Sequence, residues 1–180
     1  MSETNEFNIG AYVVYPTHGV GKIKAIETQT IADVELSLFV ISFERDKMTL
    51  RVPMHRAAAA GLRHICGADE IAKAIKTLKS KAKTSRGMWS RRAQEYEGKI
   101  NSGNIIQIAE VVRDLHKNVD TSERSYSERM IYESALGRLA GEVAAAEGTD
   151  ADAATETLLK LLRAQYATPE KTEEDAAAAA

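Results

Sequence analysis

The chain has 180 residues, 44% hydrophobic and 28% charged, a balance ordinary for a folded soluble protein and long enough for one medium domain or two small ones. No apolar run approaches the roughly 20 residues that a membrane helix needs, and the opening Met1-Ser2-Glu3-Thr4-Asn5-Glu6 lacks the apolar stretch of a secretory signal. Cys66 stands alone, which excludes an intrachain disulfide and a C-x-x-C redox or metal motif, and a cytoplasmic location is the simplest expectation.

The formal net charge of −2 conceals an asymmetry, because residues 63–99 carry +6 and residues 123–180 carry −6. The first 54 residues predict strands. Ala11-Tyr12-Val13-Val14-Tyr15 is β-branched and aromatic, and it stops at the turn-rich Pro16-Thr17-His18-Gly19-Val20-Gly21. Residues 22–31 form a weaker strand, Val34-Glu35-Leu36-Ser37-Leu38 alternates, and Phe39-Val40-Ile41 is apolar on both faces. After a turn at Arg45-Asp46-Lys47, Met48, Leu50, Val52 and Met54 face one way while Thr49 and Arg51 face the other. Pro53 cannot donate a ladder hydrogen bond, so this strand lies at a sheet edge or ends at the proline. An edge strand also invites pairing with a partner's sheet. Four or five short strands with tight turns predict a small barrel.

Beyond about residue 55 the period changes from two to 3.6. Ile71, Ala74, Ile75, Leu78 and Ala82 make one helical stripe. Trp89, Ala93, Tyr96 and Ile100 make a second, ending at Asn101-Ser102-Gly103, and Ile105, Ile108, Ala109, Val112 and Leu115 make a third. Ser125 with Glu128 reads as a capping box for a fourth helix, through Met130, Leu136, Leu139 and Val143 to Gly148. Thr149 with Asp152 opens a fifth, ending in Leu158, Leu161, Leu162 and Tyr166. The expected fold is therefore α+β with two domains: residues 1–58 a small β-barrel, residues 59–167 an all-α domain of about five helices, and residues 168–180 an acidic, alanine-rich disordered tail.

Catalytic signatures are absent. Gly19-Val20-Gly21-Lys22 lacks the spacing and the Ser or Thr of a phosphate loop. His18, His55, His64 and His116 have no ligand spacing, and no nucleophile motif occurs. A non-enzyme without metal or cofactor is expected. The remaining signal is the run from Lys73 to Arg92, with eight basic residues and no acid. It is either a solvated helix face or a surface that contacts phosphates, where released counterions add affinity. Trp89, inside this run, reads either as core on the Ala93/Tyr96/Ile100 stripe or as an exposed wedge among cations.

Several of these motifs, in register over residues 7–166, resemble the CarD/CdnL family of bacterial RNA polymerase-binding transcription regulators. Gly10-Ala11-Tyr12-Val13-Val14-Tyr15-Pro16-Thr17-His18-Gly19 looks like the opening of the family's polymerase-interaction domain, shared with transcription-repair coupling factor, and Thr49-Leu50-Arg51-Val52-Pro53 looks like its closing strand. Trp89-Ser90-Arg91-Arg92 is similar to the tryptophan motif of the helical domain, and Ala109-Glu110-Val111-Val112-Arg113-Asp114-Leu115 to a later helix there. The resemblance implies a Tudor-like β-domain on the lobe of the polymerase β subunit. Met48, Thr49, Leu50, Arg51 and Val52 would be the pairing strand, and Gln29 would stand at a position often arginine in relatives. It also implies that Trp89 inserts in promoter DNA at the upstream edge of the transcription bubble, with Arg91 and Arg92 beside it on the phosphates, and so stabilises the open complex. Arg86 flanks it in the basic run as a further DNA contact, and with no coiled-coil heptad evident a monomer is the default. Gln94 replaces a residue often basic in relatives. The basic run alone would equally suit a stand-alone DNA-binding or architectural protein. A β-domain adaptor with no DNA role is a third reading.

Overall fold

The computed structural model describes residues 7–83, 86–116 and 125–166; the tail expected to be disordered lies outside the described residues. The first strands form where β-branched and aromatic residues alternate. β1 (Tyr12–Tyr15), β2 (Gly19–Ile31), β3 (Val34–Phe43), β4 (Met48–Pro53) and β5 (Arg63–His64) make one antiparallel sheet in the order β4-β3-β2-β1-β5. β2 and β3 are joined by Ala32 and Asp33, both at positive φ (50° and 63°), the backbone of a two-residue hairpin turn whose twist matches its strands.

The sheet differs from the expected barrel. β4 and β5 are its two edges, and no pairing joins them, so it is open. β5 lies past the boundary expected at residue 58, and its two residues pair with Val13 and Val14. A short helix, α1 (Met54–Ala57), follows Pro53 directly, so Met54 leaves the strand alternation and is exposed. One face of the sheet buries Val13, Ile23, Phe39, Ile41, Phe43 and Val52 with Phe7, Ala57 and Leu62. Phe7 meets Phe39 edge-on at 5.8 Å, a favourable aromatic geometry. Gly21 sits where a Cβ would come within 2.6 Å of Ile41 and 2.8 Å of Phe43, so the core closes only over a glycine.

A register shift between Ile23 and Ala25 marks a bulge in β2. Ile23 pairs with Ile41 on the core face, while Ala25, two residues on, pairs with Val40 on the outer face. The extra residue flips every later position of β2, which places Glu27 and Gln29 outside.

Five longer helices follow: α2 (Ala68–Leu78), α3 (Trp89–Asn101), α4 (Ile105–His116), α5 (Tyr126–Glu147) and α6 (Ala151–Tyr166). Counting α1 there are six among the described residues. α4 is the central one, with Ile105, Ile108, Ala109, Val111, Val112 and Leu115 all buried. α5 starts as expected, with Ser125 Oγ accepting from the amide of Glu128 at 3.2 Å. Three expectations fail locally. Met130 lies on the exposed side of α5, and Ile131, Ala135, Leu136, Leu139 and Val143 supply the buried stripe. The cap of α6 is Asp150, whose Oδ1 accepts from Asp152 and Ala153. The amide of Thr149 is already committed to the carbonyl of Ala144 at the close of α5. α2 stops at Leu78, so Ala82 does not extend its stripe. There Ser80 turns its hydroxyl onto the Thr77 carbonyl, and Arg113, Asp114 and Gln165 tie down residues 79–83 through side-chain bonds.

Arginines clasp the sheet to α5. Arg63, in β5, gives Nη1 and Nη2 to the carboxylate of Glu142 at 2.6 and 3.0 Å, and Glu142 Oε1 also accepts the amide of Cys66 at 3.0 Å. Arg63 also bonds the carbonyl of Gly103, ahead of α4, at 2.6 Å. Arg138 donates to the carbonyls of Pro16 and Thr17 at 2.9 and 2.5 Å and of Ile100 at 3.2 Å. Arg45 reaches back to the carbonyls of Glu133 and Ser134. Its guanidinium lies where a Cβ on Gly137 would be, within 2.6 Å, so that glycine is the seat on which the clasp rests.

Candidate functional site

The residues singled out in the sequence fall into two clusters, one on each part of the molecule. The first is the β4 edge and the outer face of the sheet. Strand alternation sends Met48, Leu50 and Val52 inward, where Val52 is buried and the other two pack against the core. Their side chains are spent on folding, and what they offer outward is edge backbone. Thr49 and Arg51 alternate to the outer face and are exposed. Arg51 lies across from Val40, and Gln29 across from Leu36, so the bulge in β2 puts Gln29 and Arg51 on the same face. Glu27 joins them. Its Oε2 accepts from Arg51 Nε at 2.9 Å, and this bond and its charge raise the guanidinium pKa further. Sequence reasoning missed Glu27, because only the register across β2, β3 and β4 shows that it reaches Arg51. Beyond it the hairpin carries Ile31 and Val34, both exposed.

The second cluster gathers at the start of α3. Trp89 is its first residue, after Met88 at the N-cap. The indole is neither buried nor free. It packs against the helical core, its ring centroid is 6.4 Å from that of Tyr96, and its Nε1 donates to Ser127 Oγ of α5 at 3.3 Å. The indole is thus partly buried, packed against the core and still reached by solvent. Arg92 lies over the indole at 5.6 Å and over the Tyr96 ring at 5.9 Å, a cation–π arrangement that fixes both partners. Arg91 points away into solvent, loosely paired with Glu95 at 3.7 Å. Arg86 is exposed, as are Lys73, Lys76, Lys79, Lys81 and Lys83. Arg86 and Arg91 are therefore available to a phosphate backbone, while Arg92 is engaged in holding the tryptophan. Ser127 had no sequence signal of its own beyond its place in the capping box.

The other titration shifts belong to the clasp and the helical packing. Burial pushes Arg63 down, but the hydrogen bonds and charge of Glu142 outweigh it and leave its pKa raised. Arg138 is lowered by burial and by the like charge of Arg45. Among the described residues no group of His, Cys, Asp and Glu is placed to hold a metal ion, and no helix is long and apolar enough to cross a membrane.

Two family descriptions match the chain, each on one of its parts. The CarD-like/TRCF RID domain matches residues 7–66, from Phe7 to just past β5, and the CarD C-terminal domain matches residues 73–159. YdeB of Bacillus subtilis (strain 168), a protein assigned as a transcription factor, is 30% identical over 144 residues, covering 79% of this chain and 93% of that protein. The solution structure of the 72-residue N-terminal domain of Myxococcus xanthus CarD shares 30% identity over a third of this chain (33%) and 79% of that domain, with a TM-score of 0.29. Two adjacent matches in chain order and a full-length relative lead to one conclusion: the chain belongs to the CarD/CdnL family of bacterial transcription regulators.

Proposed function

We propose that this protein is a non-enzymatic regulator that binds the lobe of the RNA polymerase β subunit and stabilises the promoter open complex by placing Trp89 at the upstream edge of the transcription bubble. The observation that carries the reading is the state of Trp89. It is a partly buried indole at a helix start, held by Ser127, Tyr96 and Arg92, with the exposed Arg91 two residues on. A wedge held in one orientation loses little freedom on binding, so more of its contact energy remains to offset the unstacking of a base step. The polymerase end is supported by the β4 edge, with outward backbone for strand pairing and Arg51, Thr49 and Gln29 on one face. Gln29 offers hydrogen bonds but no charge, so Arg51 carries the electrostatic part. Glu27 must release it, or share it, when a partner carboxylate arrives.

The mechanism is differential binding. Polymerase supplies the location, and contacts available only on melted, bent DNA shift the population towards the open complex. A preference of ~1.4 kcal/mol changes that equilibrium tenfold. Phosphate and shape contacts without base-edge readout give weak sequence preference. On this reading the protein works as a cytoplasmic monomer and needs no cofactor.

The test is open-complex lifetime on a linear promoter with cognate bacterial polymerase. Wild-type protein lengthens it, Trp89→Ala loses the effect while still binding polymerase, and Arg51→Glu loses polymerase binding. Lifetimes unchanged by wild-type protein across several promoters would refute the proposal. Tight, salt-sensitive binding to bare duplex without polymerase would favour a stand-alone DNA-binding protein instead.

A further inference from the structure

The exposed apolar side chains of the helical part are concentrated beside Trp89. Met88, the residue before it, is 78% exposed, Tyr126 is 77% exposed and Met130 is 48% exposed. Tyr126 and Met130 are one turn apart on α5, on the same helical face, and neither takes part in the buried stripe of that helix. The position of this pair relative to the tryptophan is set by Ser127, whose hydroxyl receives the indole N–H, so Tyr126 is the chain neighbour of the residue that holds Trp89. Large exposed apolar side chains grouped beside a partly exposed tryptophan mark a binding surface. The exposed charged groups near them in the chain are the cations Arg86, Arg91 and Arg129 and the acids Glu95, paired with Arg91, and Glu133, three residues beyond Met130.

We propose that Tyr126, backed by Met130, is a second stacking element of the nucleic-acid surface, set on α5 beside the wedge on α3, and that its ligand is the unpaired or distorted strand at a duplex-to-single-strand junction. This rests on the nucleic-acid reading of Trp89 and extends it from one aromatic residue to two. The chemistry favours nucleic acid over a protein partner. An aromatic ring presents a face to any base, so stacking is tolerant of sequence, and flanking cations follow the backbone. A protein partner would need carboxylates opposite each arginine and an apolar knob for Tyr126. A junction fits best, because an intact duplex hides the base faces on which a ring stacks. Two aromatics on neighbouring helix starts engage adjacent nucleotides, one inserted and one capping.

The test uses the full chain and a fluorescently labelled forked duplex, with anisotropy measured over a range of salt concentrations. Tyr126 makes no core contact, so its variants keep the wild-type circular dichroism and melting curve. Tyr126→Ala is expected to weaken fork binding about tenfold with the salt slope unchanged, since no phosphate contact is lost. Tyr126→Phe is expected to bind like wild type. Arg91→Ala is expected to reduce the slope by about one. Tyr126→Ala binding like wild type while Trp89→Ala binds weakly would overturn the second element and leave the wedge standing. If both variants bind like wild type, the nucleic-acid reading fails at its root. Loss of self-association in Tyr126→Ala, seen by sedimentation, with fork affinity intact would assign the patch to a second copy of the chain and also overturn the proposal.

Discussion

Removing the carboxylate of Glu142 should loosen the whole molecule, and the size of the effect follows from its surroundings. The Glu142 side chain is 3% exposed and accepts three hydrogen bonds, two from Arg63 and one from the amide of Cys66. Deleting one member of a buried ion pair costs about 3–5 kcal/mol, because the other charge stays buried without its partner. Here Arg63 keeps the Gly103 carbonyl and its side chain is 30% exposed, so water and a neutral acceptor take up part of the loss. Glu142→Ala is therefore expected near the lower end, about 3 kcal/mol. In a chain of this size that lowers Tm by about 6–12 °C. Glu142→Gln keeps an acceptor of the same shape and should cost about 1–2 kcal/mol, as a charged hydrogen bond becomes a neutral one. The double variant Arg63→Met, Glu142→Leu leaves no orphaned charge and should lie closer to wild type than Glu142→Ala alone. Urea unfolding followed by far-UV circular dichroism measures all three. A loss under about 1 kcal/mol for Glu142→Ala, or a double variant worse than the single, would refute the argument from desolvation.

Gly21→Ala forces a methyl to within 2.6 Å of Ile41 and is expected to cost about 1–3 kcal/mol through overpacking, checked by the same unfolding curves. The Glu110 carboxyl is held below its ordinary pKa by the hydrogen bond from Lys99 and by its charge, against the opposing push of burial. A group depressed on folding stabilises above its unfolded pKa, and that stability is lost as pH falls through the lower folded value. Lys99→Met should thus raise the Glu110 pKa, as NMR titration would show, and flatten the acid side of the stability curve. An unmoved titration would contradict the assignment. Burial, then hydrogen bonding with Glu70 and Glu142, pushes the Cys66 thiol well above its ordinary pKa. Thiol reagents at pH 8 should label the native protein at least ~10 times more slowly than the unfolded chain, since the thiolate is the reacting form; equal rates would exclude this environment.

What the sequence reveals follows the range of the interactions. Helices α3 to α5 were readable because the 3.6-residue period of Ile108, Val112 and Leu115, or the Ser125 cap, is a local signal. The inward turn of Met48, Leu50 and Val52 was readable from alternation. The bulge at Ile23/Ala25 was not, since both residues are apolar and only pairing with β3 shows the change of face. β5 is two residues long and makes no pattern. The fixed state of Trp89 depends on Ser127, 38 residues away, so periodicity could offer only burial or exposure. The clasp had one trace: Gly137 inside a helix signals close approach, but nothing local names Arg45 as what approaches.

α5 touches both the tryptophan helix and the sheet. Its first turn receives the indole of Trp89 at Ser127, and eleven residues later Arg138 grips the turn after β1. At 1.5 Å per residue that is a rod of about 16 Å, a spacer whose length and phase are counted in residues. Point changes on its solvent side alter neither count. A single residue inserted between the two grips would lengthen the rod by only about 1.5 Å but turn one end by about 100° relative to the other. The indole would then face another direction, and Ile131, Ala135 and Leu136, which lie between the grips, would fall out of line with the buried stripe that Leu139 and Val143 continue. Alignment of the tryptophan and packing of the helix are thus set by one residue count, and an insertion there is expected to cost both.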